Sequence, residues 1–419
     1  MSRKFLHCAD LHLDSPLTGI HFPPEQAESI RAATRKAFEN VVSIAMEDAV
    51  DFVLIAGDIY DAGLNSYDTA LYFHRQLNRL KEAGIKAFLI YGNHDALSKL
   101  DTTVKLPQNV HVFPAAQAET WQDAEEFGVA IHGQSYSTAA VTGNIATNYP
   151  APTADLFNIG LLHTSLTGVS GHASYAPCTQ ADLVNKGYDY WALGHVHNRN
   201  VIGENPRIVF PGNTQARQRR EAGEKTCELI SFDDSGVTKA ETRVTDALPW
   251  YELEVPLTAV ENRTAVMEAV ERELRAADQK AGDRTLIAGL TLTGATKAHS
   301  GLADDRAKLR AEVQAIAEEV APDKIWLADI AVKTAPLLDL GALAQCQDPL
   351  GEVLRTAQDL ITGDAAVDFA HLLAKLIGKI PQDLLYGEDA LRLDKDGLEA
   401  LLPDVKSLLA TSLSEGSEP

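Results

Sequence analysis

The chain has 419 residues, 45% of them hydrophobic and 23% charged, with a formal net charge of −22. That length is too great for one ordinary core and calls for two or three domains. The acidity argues against a stand-alone nucleic-acid binder, because affinity for a phosphate backbone comes from Lys and Arg.

In chain order, the first apolar run of strand length is Phe5–Cys8, which ends at Asp10-Leu11-His12. It is too short for a signal peptide, and no stretch approaches about 18 apolar residues. The four cysteines (Cys8, Cys178, Cys227, Cys346) are scattered with no Cys-x-x-Cys pair, which argues against a disulfide framework or zinc knuckle. A soluble, reducing, cytoplasmic setting is expected. Residues 25–48 read as a helix, with Val41, Val42, Ala45 and Ala49 at helical spacing. The strand run Phe52–Ala56 follows and ends at Gly57-Asp58. A second helix is expected over 67–83, with Phe73, Leu77 and Leu80 on one face and Gly84 as its stop. Three more strand runs each end in a polar motif. Ala87–Tyr91 leads into Gly92-Asn93-His94-Asp95, Ile159–Leu162 into His163, and Tyr190–Leu193 into Gly194-His195-Val196-His197. Alternating strand and helix predicts an α/β layered domain. In such sheets ligands bind beyond the carboxyl ends of the strands, where all five motifs lie. Short β-type segments at Val201-Ile202, Arg207–Phe210 and Cys227–Phe232 are expected to complete the layer, closing a first domain at 1–245.

Past Trp250 the texture changes. Strand candidates Tyr251–Val255, Thr285–Leu292 and Ile325–Val332 alternate with helical stretches at 260–278 and 303–320, predicting a small βαβαβ cap over 250–335. Residues 336–413 read as all-helical. Phe369, Leu372, Leu373, Leu376, Ile377 and Ile380 form an amphipathic stripe, and Val405, Leu408, Leu409 and Leu413 form a weaker one. The end, 414–419, reads as a disordered tail.

The five motifs together carry the chemistry. A lone Asp-x-His or Gly-Asp is common in surface turns, and a lone His163 is more often a satisfied core histidine. Five such motifs, all at strand ends, supply carboxylate, imidazole and amide groups in numbers that suit two adjacent cations, with one histidine to spare. Asp58 is the best candidate for a bridging carboxylate. Gly57, Gly92 and Gly194 leave the backbone room to turn sharply.

These motifs resemble those of the calcineurin-like metallophosphoesterase superfamily. The opening Phe5-Leu6-His7-Cys8-Ala9-Asp10-Leu11-His12-Leu13-Asp14-Ser15-Pro16-Leu17 resembles the bacterial DNA repair exonuclease branch of SbcD and YhaO types, as do Gly57-Asp58-Ile59-Tyr60-Asp61, Tyr91-Gly92-Asn93-His94-Asp95 and Pro211-Gly212-Asn213. The likeness spans roughly residues 1–335. It implies a metallophosphoesterase β-sandwich flanked by helices, then the α/β cap and a helical C-terminal region. It also implies that Asp10, His12, Asp58 and His197 hold one metal, and that Asp58, Asn93, His163 and His195 hold the other. His94 would face the scissile phosphate as the acid, oriented by Asp61; some relatives carry His at the Asp61 position. The mixed ligands suit Mn²⁺.

Substrate and partners are read from the same resemblance. It implies Mn²⁺-dependent 3′→5′ exonuclease activity on DNA ends in DNA repair. A competing class is a phosphatase or phosphodiesterase acting on a small molecule or phosphoprotein. Many such protein phosphatases carry an Arg after the second motif, whereas Asp61 is followed here by Ala62-Gly63-Leu64. The basic cluster Arg217, Arg219 and Arg220 either contacts substrate phosphate or forms a solvated loop paired with Glu221 and Glu224. Residues 1–245 carry 20 basic against 28 acidic residues, and residues 246–419 carry 17 against 31. The more acidic second part is therefore expected to meet protein rather than DNA. Relatives work with an SMC-like coiled-coil ATPase, and a homodimer is expected by the same analogy. A catalytically weak scaffold subunit of such an ATPase is a third reading. The intact ligand set argues against it.

Overall fold

The computed structural model describes residues 3–17, 27–61, 66–97, 104–166, 175–303, 305–337 and 340–362, and then 402, 405, 406 and 408–410. The expected stripe at 369–380, Leu413 and the tail at 414–419 lie outside the described residues. The chain divides into two compact units. The first is Met1–Glu252 with Ala281–Ala288 and Lys324–Ala328. The second is Leu253–Lys280, Gly289–Asp323 and Asp329–Pro419.

In chain order the first unit contributes β1 (Arg3–Cys8), α1 (Ala27–Glu47), β2 (Phe52–Ala56), α2 (Tyr67–Glu82), β3 (Lys86–Ile90), β4 (Val110–Val112), β5 (Glu119–Asp123) and β6 (Val129–Gly133). It continues with β7 (Phe157–His163), α3 (Gln180–Val184), β8 (Tyr190–Gly194), β9 (Asn200–Glu204), β10 (Arg207–Phe210), β11 (Thr226–Asp233) and β12 (Gly236–Val244). These strands form two six-stranded sheets, ordered β12-β11-β1-β2-β3-β4 and β5-β6-β7-β8-β10-β9. The strands from β1 to β4 run parallel, as do β6, β7, β8 and β10; the remaining pairings are antiparallel.

The sheets pack face to face, so both sides of the central strands are buried, and their sequences are continuous apolar runs for that reason. In β2, Phe52, Leu54 and Ala56 enter a core shared with Ile159, Leu161, Tyr190 and Ala192 of the other sheet. The intervening Val53 and Ile55 pack with Phe38, Val41 and Val42 of α1 and Phe73, Leu77 and Leu80 of α2. Phe5 stacks on Phe52 at 5.3 Å and meets Tyr190 edge-on at 5.0 Å, tying the sheets together. On the outer face of the second sheet, Trp191 lies among Leu162, Leu183, Ile208 and Phe210. Its strand partner is Gly160, where any Cβ would collide with the indole. Trp191→Ala should therefore destabilise the first unit by about 3–5 kcal/mol, read from the midpoint of urea unfolding.

The second unit contains most of β13 (Trp250–Pro256), α4 (Arg263–Ala281), β14 (Leu286–Thr296), α5 (His299–Ala303), α6 (Arg306–Val320) and β15 (Ile325–Pro336). The strands form one sheet in the order β13-β14-β15. Val266, Ala269, Val270, Leu274 and Ala277 give α4 a buried stripe, and Leu309, Val313 and Ala317 do the same for α6. Asp305 caps α6 by accepting the Lys308 N–H at 2.9 Å. Two helices, α7 (Leu340–Gln345) and α8 (Pro349–Thr362), follow. Among the described residues no helix is long and apolar enough to cross a membrane.

Candidate metal centre

The parallel strands β1, β2, β3, β7 and β8 deliver their carboxyl ends to one place. Asp10 and Asp58 stand two residues beyond β1 and β2, and Asn93 three beyond β3. His163 is the last residue of β7, and His195 follows β8 directly. The loops after β1 and β2 remain zipped together. Asp10 and His12 donate their amides to the Gly57 and Asp58 carbonyls at 3.0 Å, and Leu13 donates to Ile59 at 2.9 Å. This pairing holds backbone that L-residues avoid. The φ angles are +52° at Asp10, +42° at His12, +51° at Asp58 and +107° at His195. Such conformations cost on the order of 1–3 kcal/mol each and survive only where surroundings impose them.

Among the described residues the side chains form three groups. Ligand atoms of Asp10, His12 and His197 lie within 4.8 Å of one another, as do those of Asp58, His163 and His195, and His12, Asp58 and His94 form a third group that joins these two. Nε2 of His12 and Nε2 of His197 face each other at 3.3 Å. Asp58 Oδ2 stands 3.9 Å from His12 Nε2 and 3.5 Å from His163 Nε2, between the groups. His163 donates Nδ1–H to the Ala56 carbonyl at 2.9 Å, which turns Nε2 toward Asn93 Oδ1, 3.0 Å away. Asp10 accepts the His195 amide at 3.0 and 3.1 Å. Carboxylate, imidazole and amide groups converging here, buried but for the partly exposed His197, suit cations better than any protein partner. His12 Nδ1, on the other side of the ring, stands 3.6 Å from Asp61 Oδ1.

Electrostatics agree with a place for positive charge. Burial pushes the Asp10 carboxyl up to about 6, against the pull of His197 and His163. At Asp58 burial is outweighed by His163 and His12, and the carboxyl is held far below its usual range. Burial would lower His163, but Asp58 and Asp10 raise it to about 9. Burial, then the Arg217 charge, lowers His12 to about 3. Protons on His163 thus stand where a cation would.

His94 lies beside both groups, its ring edge-on to His12 at 4.8 Å. Its Nδ1 donates to Asp61 Oδ1 at 2.9 Å, and this hydrogen bond raises its pKa despite partial burial. Asp61 also accepts the Ser15 hydroxyl at 2.9 Å. The Asp58 carboxylate accepts the His94 amide at 3.0 Å. Gly92 is obligatory here, because a Cβ would strike the Asp58 carboxylate and sit 2.8 Å from the Asp58 nitrogen.

The sequence-predicted residues Asp10, His12, Asp58, Asn93, His163, His195 and His197, with His94 and Asp61, are all brought to this one site. Of the arginine cluster, Arg217 reaches it. Its guanidinium donates to Ser15 Oγ at 3.1 Å and stands 3.8 Å from Asp61 Oδ1. Arg219 instead pairs with Glu252 at 2.7 Å, and Arg220 is exposed. Glu221, expected as one solvated partner of those arginines, is buried against His197. Two further residues escaped the sequence reading. Asp95 accepts the amides of Gly92, Ile59 and Tyr60 at 2.8, 3.2 and 2.9 Å, locking the second and third motif loops together. Lys225 donates to the His197 carbonyl at 3.2 Å. Asp95 closes the third polar motif, which is a signal of its own; nothing in the sequence around Lys225 marks it out.

Residues 3–199 match a family model described as calcineurin-like phosphoesterase. Residues 250–335 match one described as the middle domain of metallophosphoesterase YhaO. Over 271 residues the chain is 40% identical to a Bacillus subtilis (strain 168) protein named "Uncharacterized metallophosphoesterase YhaO", a match covering 64% of this chain and 66% of that one. The chain thus spans just under two thirds of that relative's length. Among solved structures it is similar to TT1561 of Thermus thermophilus (13% identity, TM-score 0.35, covering 58% of this chain and 100% of the other). It is also similar to a dimetal phosphatase from Danio rerio (10% identity, TM-score 0.32, covering 58% and 98%). At those scores neither likeness bears on activity.

Proposed function

From the match of residues 3–199 to the calcineurin-like phosphoesterase family and the 40% identity to a metallophosphoesterase, we propose that this chain is a dinuclear-metal-dependent phosphodiesterase of that superfamily acting on DNA. The observation that carries the reading is the pair of ligand groups, Asp10–His12–His197 and Asp58–His163–His195, set side by side with His94 next to them. In this reading Asp10, His12 and His197 hold one divalent cation, and Asn93, His163 and His195 hold the other. Asp58 is shared, and Mn²⁺ is the ion of choice. When bound, two such cations lower the pKa of a water and neutralise charge on phosphoryl oxygens.

The chain's own groups supply the rest. His94, kept protonated by Asp61, hands its proton to the departing oxygen. Asp61 stabilises the imidazolium before that transfer and holds the ring in place, its other oxygen fixed by the Ser15 hydroxyl. Arg217, anchored at Ser15 beside Asp61, offers a permanent charge to a phosphoryl oxygen on the leaving-group side. Removing one charge-assisted hydrogen bond costs about 1.5–3 kcal/mol. Arg217→Ala should then lower kcat/KM about ten- to a hundredfold, mostly through KM, in steady-state assays with Mn²⁺.

On this reading the enzyme digests double-stranded DNA ends 3′→5′ in repair, in the cytoplasm, with a coiled-coil ATPase gripping the DNA and a second copy completing a homodimer. The acidic remainder of the chain favours a protein partner as the source of DNA affinity. Arg217 also favours a second reading. It brings to Asp61 the guanidinium that Ala62-Gly63-Leu64 lacks, and a guanidinium there suits a phosphomonoester. End-labelled linear duplex DNA and p-nitrophenyl phosphate, each with Mn²⁺, separate the two. Mononucleotide release from the labelled 3′ end supports the nuclease; turnover of the monoester alone sinks it.

A further inference from the structure

His197 is held through both its backbone and its imidazole. Its carbonyl oxygen accepts the Asn213 amide at 3.1 Å and the Lys225 ammonium at 3.2 Å. Its Nδ1–H donates to Glu221 Oε1 at 2.8 Å. Glu221 is itself fully engaged. Oε1 also accepts from Gln218 Nε2 at 3.0 Å, while Oε2 accepts from Asn213 Nδ2 at 2.7 Å and from the Arg217 amide at 2.8 Å. With 3% of its surface exposed, this carboxylate has no freedom to turn away. Its four donors come from the segment Asn213–Gln218 and from His197. That accounts for the burial of Pro211-Gly212-Asn213 against the His197 backbone, where a Cβ at Gly212 would stand 2.8 Å from the His197 oxygen.

The two groups are backed unequally. His163 in the second group leans on a neutral backbone carbonyl, that of Ala56. His197 in the first leans on a carboxylate, which fixes its tautomer with Nε2 bare and raises its basicity as a ligand. The first group also holds Asp10 in addition to the shared Asp58, whereas the second adds only neutral donors. Arg217 Nη2 stands 3.8 Å from Glu221 Oε1.

We propose that Glu221 is the positioning residue of the Asp10–His12–His197 cation position and makes it the tighter of the two. This rests on the metal-centre reading above and adds an order to it: the first position fills before the second. The test is calorimetric titration of the metal-stripped full chain with Mn²⁺ alone. Wild type is expected to bind in two resolved steps. Glu221→Gln should weaken the tighter step about ten- to a hundredfold and leave the weaker step in place as an internal control. If Glu221→Gln does not melt cooperatively, Glu221→Asp, which keeps the charge but withdraws it from Nδ1, carries the test with a smaller loss confined to the same step. Two unchanged steps, or a loss confined to the weaker step, overturn the proposal. A wild type that binds two cations yet cleaves no phosphoester defeats the proposed function and leaves this inference intact. One that binds no cation defeats both.

Discussion

Asp58→Asn is expected to abolish Mn²⁺-dependent phosphoester hydrolysis while leaving the fold intact. Asp58 stands between the two ligand groups, 3.9 Å from His12 Nε2 and 3.5 Å from His163 Nε2. The amide has the same shape, and its oxygen can still accept the His94 N–H that Oδ1 accepts at 3.0 Å. What it loses is the negative charge that two cations would share. Metal-assisted charge stabilisation is worth several kcal/mol, and each 1.36 kcal/mol is a factor of ten in rate, so the loss should be at least about 10³-fold. Stability gives an independent reading. Cations at a hundred times their dissociation constant stabilise a folded protein by about 2.7 kcal/mol. Wild type should therefore melt higher with Mn²⁺ than without, and Asp58→Asn should show little of that gain. An equal thermal gain in both proteins would rule out Asp58 as a shared ligand.

His94→Gln should reduce turnover about 10²- to 10⁴-fold, the range of a positioned general acid, with Mn²⁺ binding unchanged. The side chain has its own carboxylate, Asp61 at 2.9 Å, and that hydrogen bond favours the charged imidazolium. The defect should depend on the leaving group. A nitrophenolate departs without a proton, so bis(p-nitrophenyl) phosphate should be cleaved almost as well by the variant. A sugar alkoxide needs the proton, so a nucleotide linkage should show the full loss. A defect of equal size on both substrates would assign His94 to substrate placement rather than proton transfer.

Much of the catalytic layer was legible because its strands are buried on both faces. Phe52–Ala56 and Tyr190–Leu193 read as strands for that reason, and each stopped where polar groups began. The candidate ligand residues followed from their position at those stops. Other parts carried no comparable pattern. In β6 only Val129-Ala130-Ile131 is apolar before His132, and β12 is a largely exposed edge of alternating polar residues. Glu221 looked like a surface partner for three neighbouring arginines, since charge pairs close in sequence usually are. Its burial depends on a long-range event, the return of the chain after β10 to pack on His197, which local sequence does not encode. Arg217 and Arg219 illustrate the same limit: two residues apart, one enters the site and the other faces Glu252.

The left-handed backbone at Asp10, His12, Asp58 and His195 has a consequence for how this chain can drift. Each of these positions would be more comfortable as glycine or asparagine. A lineage released from the need for cations would thus gain backbone stability at four of the seven positions it discarded, and decay of the centre would be downhill there. Retention runs against that slope and requires continuing selection, since proteins sit only slightly above their stability threshold. The same reasoning offers engineers a scaffold: glycine at Asp10 and His12 should yield a firmer, inert version of the fold, suited as a matched blank in any assay of the active chain.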